Sequence, residues 1–171
     1  EWRDNYDNTE QYPAVLPSKG FYNLVNGNYG IGVGASSSIP QYNLRELNKA
    51  LETLLLNPNC DFEDIYVAPD FATGATIING EQVKESHKNG TGFACKIRST
   101  VEWDNKDRCF IVTEIPYMLY TETICKELED IINGEENFGI ERFNDLTGKT
   151  PLIKIYLQKN ANPDKVLKQL F

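Results

Sequence analysis

The sequence predicts an α+β fold, in which a mostly antiparallel sheet is flanked by helices and preceded by a glycine-rich hairpin. The clearest strand pair is antiparallel: residues 93–103 alternate apolar and polar side chains, a turn follows at Asp104–Asp107, and residues 108–115 return. Helical patterns are mixed with the strands without strict alternation, which favours α+β over α/β. The 171 residues, 40% hydrophobic and 25% charged, fit one globular domain or two small ones.

The first 42 residues are predicted to be a connector followed by the hairpin. Residues 1–25 contain Pro13 and Pro17 and show no sustained period, which indicates an extended connector. Residues 29–33 form a short strand whose partner is expected at residues 21–25, because Asn26-Gly27-Asn28 is typical of a hairpin turn. The α+β domain is expected over residues 43–171, and the two parts together also fit one continuous domain.

Helix signals begin directly after the hairpin. Asn43 is a preferred N-cap and Glu46 completes a capping box, leucines follow at helical spacing, and Asn57-Pro58 ends the helix. A short helical turn follows from Asp61 to Ile65. Besides the two long strands, the remaining predicted elements are a strand over 75–78, a helix over 81–88, a helix over 121–132, a strand over 152–157 and a helix over 164–171.

The glycine-rich strand is the most informative segment of the chain. Gly30, Gly32 and Gly34 alternate with Ile31 and Val33, so an extended strand would have one bare and one apolar face. A bare face lets a ligand approach closely, although a bulge or a tight packing contact explains the spacing equally well. No Asp or Glu occurs from residue 11 to residue 45 of a chain with net charge -8. The segment is therefore a candidate surface for a negatively charged partner.

Other classes of site are disfavoured by the sequence. A dinucleotide fingerprint needs a helix directly after its glycines, but residues 35–40 follow Gly34 and the next helix begins near Asn43. Four cysteines without a Cys-x-x-Cys pair, and a single histidine, predict free thiols and no metal site. No segment is apolar enough to span a membrane, and the polar start of the chain is unlike a signal peptide, so a cytoplasmic protein is expected.

A set of short motifs carries a family resemblance over essentially the whole chain. The motifs, in order, are Asp4-Asn-Tyr-Asp7, Thr9-Glu10, Leu16-Pro17, Asn26-Gly27, Gly30-Ile31-x-Val33-Gly34, Ile39-Pro40, Asn43-Leu44-x-Glu46, Pro69-Asp-Phe71-x-Thr73-Gly74, Ile77-Ile78, Gly90-x-Gly92, Val112-x-Glu114-Ile-Pro-Tyr117, Asn162-Pro163 and Val166-Leu167. Together they resemble the A subunits of DNA gyrase and bacterial topoisomerase IV. The chain does not begin with Met, and with this resemblance we expect it to be a piece of a longer subunit.

The resemblance implies a tower-like domain that follows a catalytic winged helix and helps to bind and bend double-stranded DNA. In that family a tyrosine that directly follows an arginine is the nucleophile, and none of the nine tyrosines here follows an arginine. We therefore assign no catalytic residue and expect the chain alone to be inactive. The tyrosines Tyr6, Tyr22, Tyr29, Tyr42, Tyr117 and Tyr120 are interpreted as core or surface aromatics, and Glu114 and Glu122 as structural carboxylates.

The resemblance implies one DNA-facing residue, Ile31, and the chemistry of nearby side chains adds further candidates. Ile31 would be a wedge between base steps, beside Gly30 and Gly32, and such wedges bend DNA. Hydrogen bonds to the duplex are expected from Asn26, Asn28, Ser36, Ser37 and Ser38, and phosphate pairing from Lys19 and Arg45. An ordinary polar turn explains the serine run equally well.

The whole enzyme implied by the resemblance is an ATP-dependent type II topoisomerase. Its partners would be double-stranded DNA, a B subunit that supplies ATP and Mg²⁺ chemistry, and a second copy of the A subunit in an A2B2 assembly, with no cofactor in this chain. The alternative is a non-catalytic, stand-alone DNA-binding or scaffold module that retains the fold. The acidic charge and the missing catalytic tyrosine favour the alternative, and the intact Gly-Ile-Gly-Val-Gly segment favours the first hypothesis.

Overall fold

The computed structural model describes residues 1–16, 18–134 and 137–171. Pro17, which the sequence analysis placed in the connector, lies outside the described residues. The described chain contains six helices and small antiparallel sheets, which confirms the α+β class. It divides into two compact units, Glu1–Pro69 and Asp70–Phe171, while a functional boundary after residue 42 stays a prediction. No helix in the described parts of the chain has the length and apolar character needed to cross a membrane.

The first unit begins with a hairpin where an extended connector was predicted. Strand β1 (Trp2–Asp4) pairs antiparallel with β2 (Gln11–Pro13). The Thr9 amide donates to the side-chain oxygens of Asn5, at 3.0 Å, and Asp7, at 3.2 Å, and these bonds close the loop. The connector prediction was wrong here because local side-chain hydrogen bonds, rather than an apolar period, stabilise the turn.

The glycine-rich strand is present, but its predicted partner is wrong. Residues Tyr22–Val25 form a short helix, α1, and strand β3 (Asn28–Gly32) pairs antiparallel with β4 (Ala35–Ile39). The turn is Val33-Gly34, and Gly34 has a φ of 77°, which glycine adopts without strain. Gly27 has a φ of 70°, but Asn26-Gly27 joins α1 to β3 instead of joining two strands.

The next two helices lie where the sequence predicted them, although the Asp61 side chain makes no cap hydrogen bond to the second one. Helix α2 spans Leu44–Leu56, and the Asn43 side chain caps it by accepting a 3.0 Å hydrogen bond from the Arg45 amide. Helix α3 covers Phe62–Ile65. None of the α2 residues is buried, so the leucines that were predicted at helical spacing are exposed or half-buried in this unit.

The second unit begins with a small sheet. Strand β5 (Thr76–Ile77) and helix α4 (Gly80–Asn89) precede β6 (Ile97–Arg98), which pairs with β5. Helix α4 ends at Gly90, which adopts the left-handed conformation common at helix ends. The single long strand predicted over 93–103 is wrong, because the chain leaves this sheet after Arg98 and enters another one at Thr100. The predicted antiparallel pair across the turn at Asp104–Asp107 is confirmed, since Thr100–Asp104 pairs with Cys109–Glu114.

The larger sheet has four antiparallel strands in the order β7-β8-β10-β9. The strands are β7 (Thr100–Asp104), β8 (Cys109–Glu114), β9 (Ile140–Asp145) and β10 (Ile153–Leu157). Helix α5 (Thr121–Asn133) lies between β8 and β9 in the chain, and α6 (Pro163–Leu170) ends the unit. Strand β9 was not predicted, because its polar and charged side chains do not alternate with apolar ones.

One face of this sheet forms the hydrophobic core of the second unit. In β10 the alternate side chains of Ile153, Ile155 and Leu157 are buried, while Lys154 and Tyr156 lie on the other face. The full cluster of buried residues is Phe110, Val112, Ile115, Leu128, Ile140, Ile153, Ile155, Leu157 and Val166. Leu128 of α5 and Val166 of α6 therefore place both helices against the same face.

The Glu114 carboxylate connects two of the motifs that carry the family resemblance, its own and the one that ends at Gly74. Glu114 accepts hydrogen bonds from the Ala75 amide, at 2.7 Å, and from Oγ1 of Thr100, at 2.5 Å, and we call this arrangement the Glu114 clasp. A Cβ on Gly74 would lie 2.5 Å from Cδ of Glu114, so a side chain there would displace the carboxylate, and the φ of 73° at Gly74 also favours glycine. The bonds from Thr100 and then Ala75 hold the pKa of Glu114 below its ordinary value.

We expect the Glu114 clasp to make the stability of the chain depend on pH. Because the pKa of Glu114 is lowered in the folded state, its contribution is present above the unfolded pKa and is lost as the pH falls through the folded pKa. Glu114→Ala leaves the Ala75 amide without its acceptor and should cost about 1–2 kcal/mol at neutral pH. Urea unfolding at neutral pH and at about pH 3 measures both effects.

Glu102→Gln is the matched control, since Glu102 is an exposed glutamate on the neighbouring strand β7. An equal loss of stability in both variants at neutral pH would contradict a special role for Glu114.

Candidate nucleic-acid interface

The hairpin formed by β3 and β4 presents two different faces. Five consecutive pairs, from Asn28↔Ile39 to Gly32↔Ala35, run without a register shift, so the glycines do not mark a bulge. Because side chains alternate along a strand, Tyr29 and Ile31 share one face. Their cross-strand partners are Ser38 and Ser36. This set of four residues is called the Ile31 face below.

The opposite face carries Asn28, Gly30 and Gly32. A Cβ on Gly30 would lie 3.0 Å from Oγ of Ser37, and one on Gly32 would lie 3.3 Å from the Ala35 carbonyl oxygen. Ser37 therefore occupies part of the space that the glycines leave, and the packing contact left open by the sequence is present at Gly30. The predicted donors Ser36 and Ser37 lie on different faces.

Hydrogen bonds hold the base of the hairpin while its tip is exposed. The Gln41 side chain donates to the Asn26 carbonyl at 3.2 Å, and the Tyr42 amide donates to the Leu24 carbonyl at 2.9 Å. At the other end Ile31 is 80% exposed, and Val33 in the turn is fully exposed. An isoleucine this exposed contributes little to a core, so its side chain is available to a partner.

The structure places the two predicted cations at one end of helix α2. Arg45 lies in the first turn of the helix, and Lys19 lines a groove with Tyr22, Leu44 and Leu51. These are the two cations of the acid-free segment, so its positive charge is concentrated near the start of α2. Asn26 precedes the hairpin, where its backbone carbonyl accepts the Gln41 bond.

The side chains suited to catalysis are engaged elsewhere or isolated. Glu114 belongs to the clasp, as a structural carboxylate. Burial raises the pKa of the Cys95, Cys109 and Cys125 thiols, which disfavours the reactive thiolate. Within residues 1–16, 18–134 and 137–171, no group of three or more His, Cys, Asp or Glu side chains is placed to hold a metal ion.

The sequence did not single out Tyr29 as a DNA-facing residue, although it lies on the Ile31 face and is 62% exposed. The signal that could have identified it is its position two residues before Ile31, since residues with that spacing share a strand face.

The comparisons with known proteins agree with the motifs. The sequence model of the family described as the A subunit of DNA gyrase and topoisomerase IV matches residues 1–171. The chain belongs to this family. The predicted resemblance is therefore confirmed.

Curated relatives show the same family and how much of it this chain covers. The chain is 37% identical over 174 residues to the DNA gyrase A subunit of Leptospira biflexa, covering 98% of this chain and 20% of the relative. It is 36% identical to the DNA gyrase A subunits of Fibrobacter succinogenes, over 172 residues, and Mycoplasma genitalium, over 173 residues. These matches cover 98% of this chain and 19% and 21% of the two relatives. The chain spans about a fifth of the length of these relatives.

We expect Ile31→Ala to leave the stability of the chain almost unchanged. The side chain is 80% exposed, so its truncation should cost less than about 1 kcal/mol of unfolding free energy. The matched control is Ile153→Ala, because Ile153 is fully buried and its truncation should cost about 2–5 kcal/mol. Chemical denaturation of both variants measures the difference. Similar losses in the two variants would show that Ile31 is a core residue.

Proposed function

We propose that this chain is part of the DNA gate in the A subunit of a type II topoisomerase, where it binds and bends the duplex that is cleaved. The α+β unit would be the tower-like domain of that subunit. In this proposal the hairpin of β3 and β4 faces the DNA, and Ile31 enters between two base pairs. The family membership supports a place in the A subunit, and the hairpin would make the contact with the duplex.

The observation that carries the proposal is the exposure of Ile31 on an anchored hairpin. Bending by an apolar wedge requires a side chain that is free to enter the duplex and a backbone that does not yield. Ile31 meets the first requirement, with 80% of its surface exposed. The bonds at Gln41 and Tyr42 meet the second, because they fix the base of the hairpin to neighbouring segments.

The charge distribution supports the same surface. The segment from Gln11 to Arg45 has no carboxylate, so DNA phosphates would meet no side-chain repulsion along it. Lys19 and Arg45 would pair with phosphates, and Asn26, Asn28, Ser36 and Ser37 would donate hydrogen bonds that position the duplex. Two cations give a weak electrostatic attraction, so the wedge and the rest of the subunit would contribute most of the affinity.

The remaining chemistry of strand passage would lie outside this chain. The cleaving tyrosine would come from another part of the A subunit, since no tyrosine here follows an arginine. A B subunit would supply ATP hydrolysis and Mg²⁺ chemistry in an A2B2 assembly. The chain itself would bind DNA without cutting it.

The decisive test is Ile31→Ala in the full-length subunit that carries this segment, within the complete enzyme. Loss of the wedge should reduce DNA bending, because the energy of unstacking is no longer offset by an inserted side chain. Energy transfer between dyes at the two ends of a short duplex measures bending, and trapped cleavage complexes measure the chemical step. We expect both signals to fall about five-fold or more, the range of a single good DNA contact.

Leu56→Ala is the matched control, since Leu56 is an equally exposed aliphatic residue, 81% against 80% for Ile31, and lies outside the hairpin. It should bend and cleave like the unmodified enzyme. Wild-type bending in the Ile31→Ala enzyme would overturn the proposal.

We expect the isolated chain to bind duplex DNA weakly and with a shallow salt dependence. The logarithm of the affinity falls with the logarithm of the salt concentration, with a slope of about −0.9 for each neutralised phosphate. Two phosphates neutralised by Lys19 and Arg45 therefore predict a slope of about −2. Fluorescence anisotropy over a salt series measures this slope, and Lys19→Gln should reduce it by about one. A complete absence of binding at low salt would favour the alternative, a scaffold module that retains the fold without DNA contact, which the net charge of -8 also favours.

A further inference from the structure

We propose that Tyr29 is a second DNA contact, acting beside Ile31 on the same face of the hairpin. This inference rests on the proposed function, because it assumes that the Ile31 face meets the duplex. Tyr29 is 62% exposed, lies two residues before Ile31, and shares its strand face. The hairpin would then contact the duplex with an aliphatic wedge and an aromatic ring.

The spacing of the two side chains matches the spacing of stacked bases. A strand rises about 3.4 Å per residue, so side chains two residues apart on one face are separated by about 6.8 Å. Bases in one strand of a duplex are stacked about 3.4 Å apart. A hairpin that lies along the minor groove therefore places Tyr29 about two base steps from the step that Ile31 opens.

The chemistry of tyrosine fits that position. Its ring provides a flat apolar surface that packs against the deoxyribose edge or the face of a base loosened by the neighbouring wedge. Its hydroxyl reaches the acceptor atoms that every base pair presents in the minor groove. The contact would tolerate many sequences, as a DNA gate requires.

The surrounding residues leave room for this contact. The cross-strand neighbours on the Ile31 face are Ser38, opposite Tyr29, and Ser36, opposite Ile31. Both are small and exposed, so they do not cover the ring and each adds a hydroxyl toward the same partner. Bulky or acidic neighbours would have blocked the approach of a phosphate backbone.

The test compares Tyr29→Ala, Tyr29→Phe and Ile31→Ala in the full-length protein within the complete enzyme, with a short duplex as the probe. Tyr6→Ala is the matched control, because Tyr6 is 98% exposed and lies in the loop of a different hairpin. Loss of an aromatic contact should weaken binding in Tyr29→Ala about five-fold or more, and Tyr29→Phe should retain most of the affinity because the ring remains. Tyr6→Ala should bind like the unmodified enzyme.

The outcomes separate the two proposals. Weakened bending in Ile31→Ala with unchanged affinity in Tyr29→Ala overturns the role of Tyr29 and keeps the wedge. Unchanged bending and affinity in both variants overturns the DNA-gate function and with it this inference. A photoreactive azidophenylalanine at position 29 keeps the ring and covers the case in which Tyr29→Ala unfolds the hairpin. We expect the group at position 29 to cross-link to the duplex and the same group at position 6 not to cross-link. Failure to cross-link at position 29 also overturns the role of Tyr29.

Discussion

The burial of one face of the four-stranded sheet is the interaction on which the second unit depends. Strands β8 and β10 pair in the centre, and their alternate side chains meet Leu128 and Val166 from the two helices. All of the buried hydrophobic side chains in the described chain belong to this unit, from Val83 to Val166. Since apolar burial is the main favourable term in folding, the cooperative stability of the chain is concentrated there.

The first unit is held together mainly by hydrogen bonds and has almost no buried core. Among its described residues Pro69 alone is buried, and helix α2 has no buried residue. Its form depends on backbone pairing in two small hairpins, on the Asn43 cap and on hydrogen bonds at the base of β3 and β4. An arrangement of this kind leaves apolar side chains such as Ile31 available for contacts outside the unit, which is what a DNA wedge requires.

The Glu114 clasp gives a physical meaning to two motifs that are separate in the sequence. The motif around Gly74 and the motif that contains Glu114 meet because the carboxylate accepts the Ala75 amide, and a side chain at Gly74 would displace that carboxylate. Phe71 and Tyr117, from the same two motifs, stack with ring centroids 5.3 Å apart. Residues that identify the family here are therefore also residues that hold the second unit together.

The sequence by itself determined the family, and it also determined the helices and strands that depend on local signals. The cap at Asn43, the ends of α2 and α4, the β8 strand and the alternation of β10 are all visible in residue order, because caps, turns and periodicity act over a few residues. The sequence also predicted one strand pair, across the turn at Asp104–Asp107, which β7 and β8 form. The tertiary structure decided the other pairings. The partner of β3 is β4 rather than residues 21–25, the strand predicted over 93–103 divides between two sheets, and β9 appears without any pattern of its own. Strand pairing joins distant residues through backbone groups that every residue carries, so a side-chain pattern indicates the partner mainly where a short turn connects the two strands. For the same reason the serines that lie opposite Tyr29 and Ile31 on β4 became visible only once the hairpin was complete.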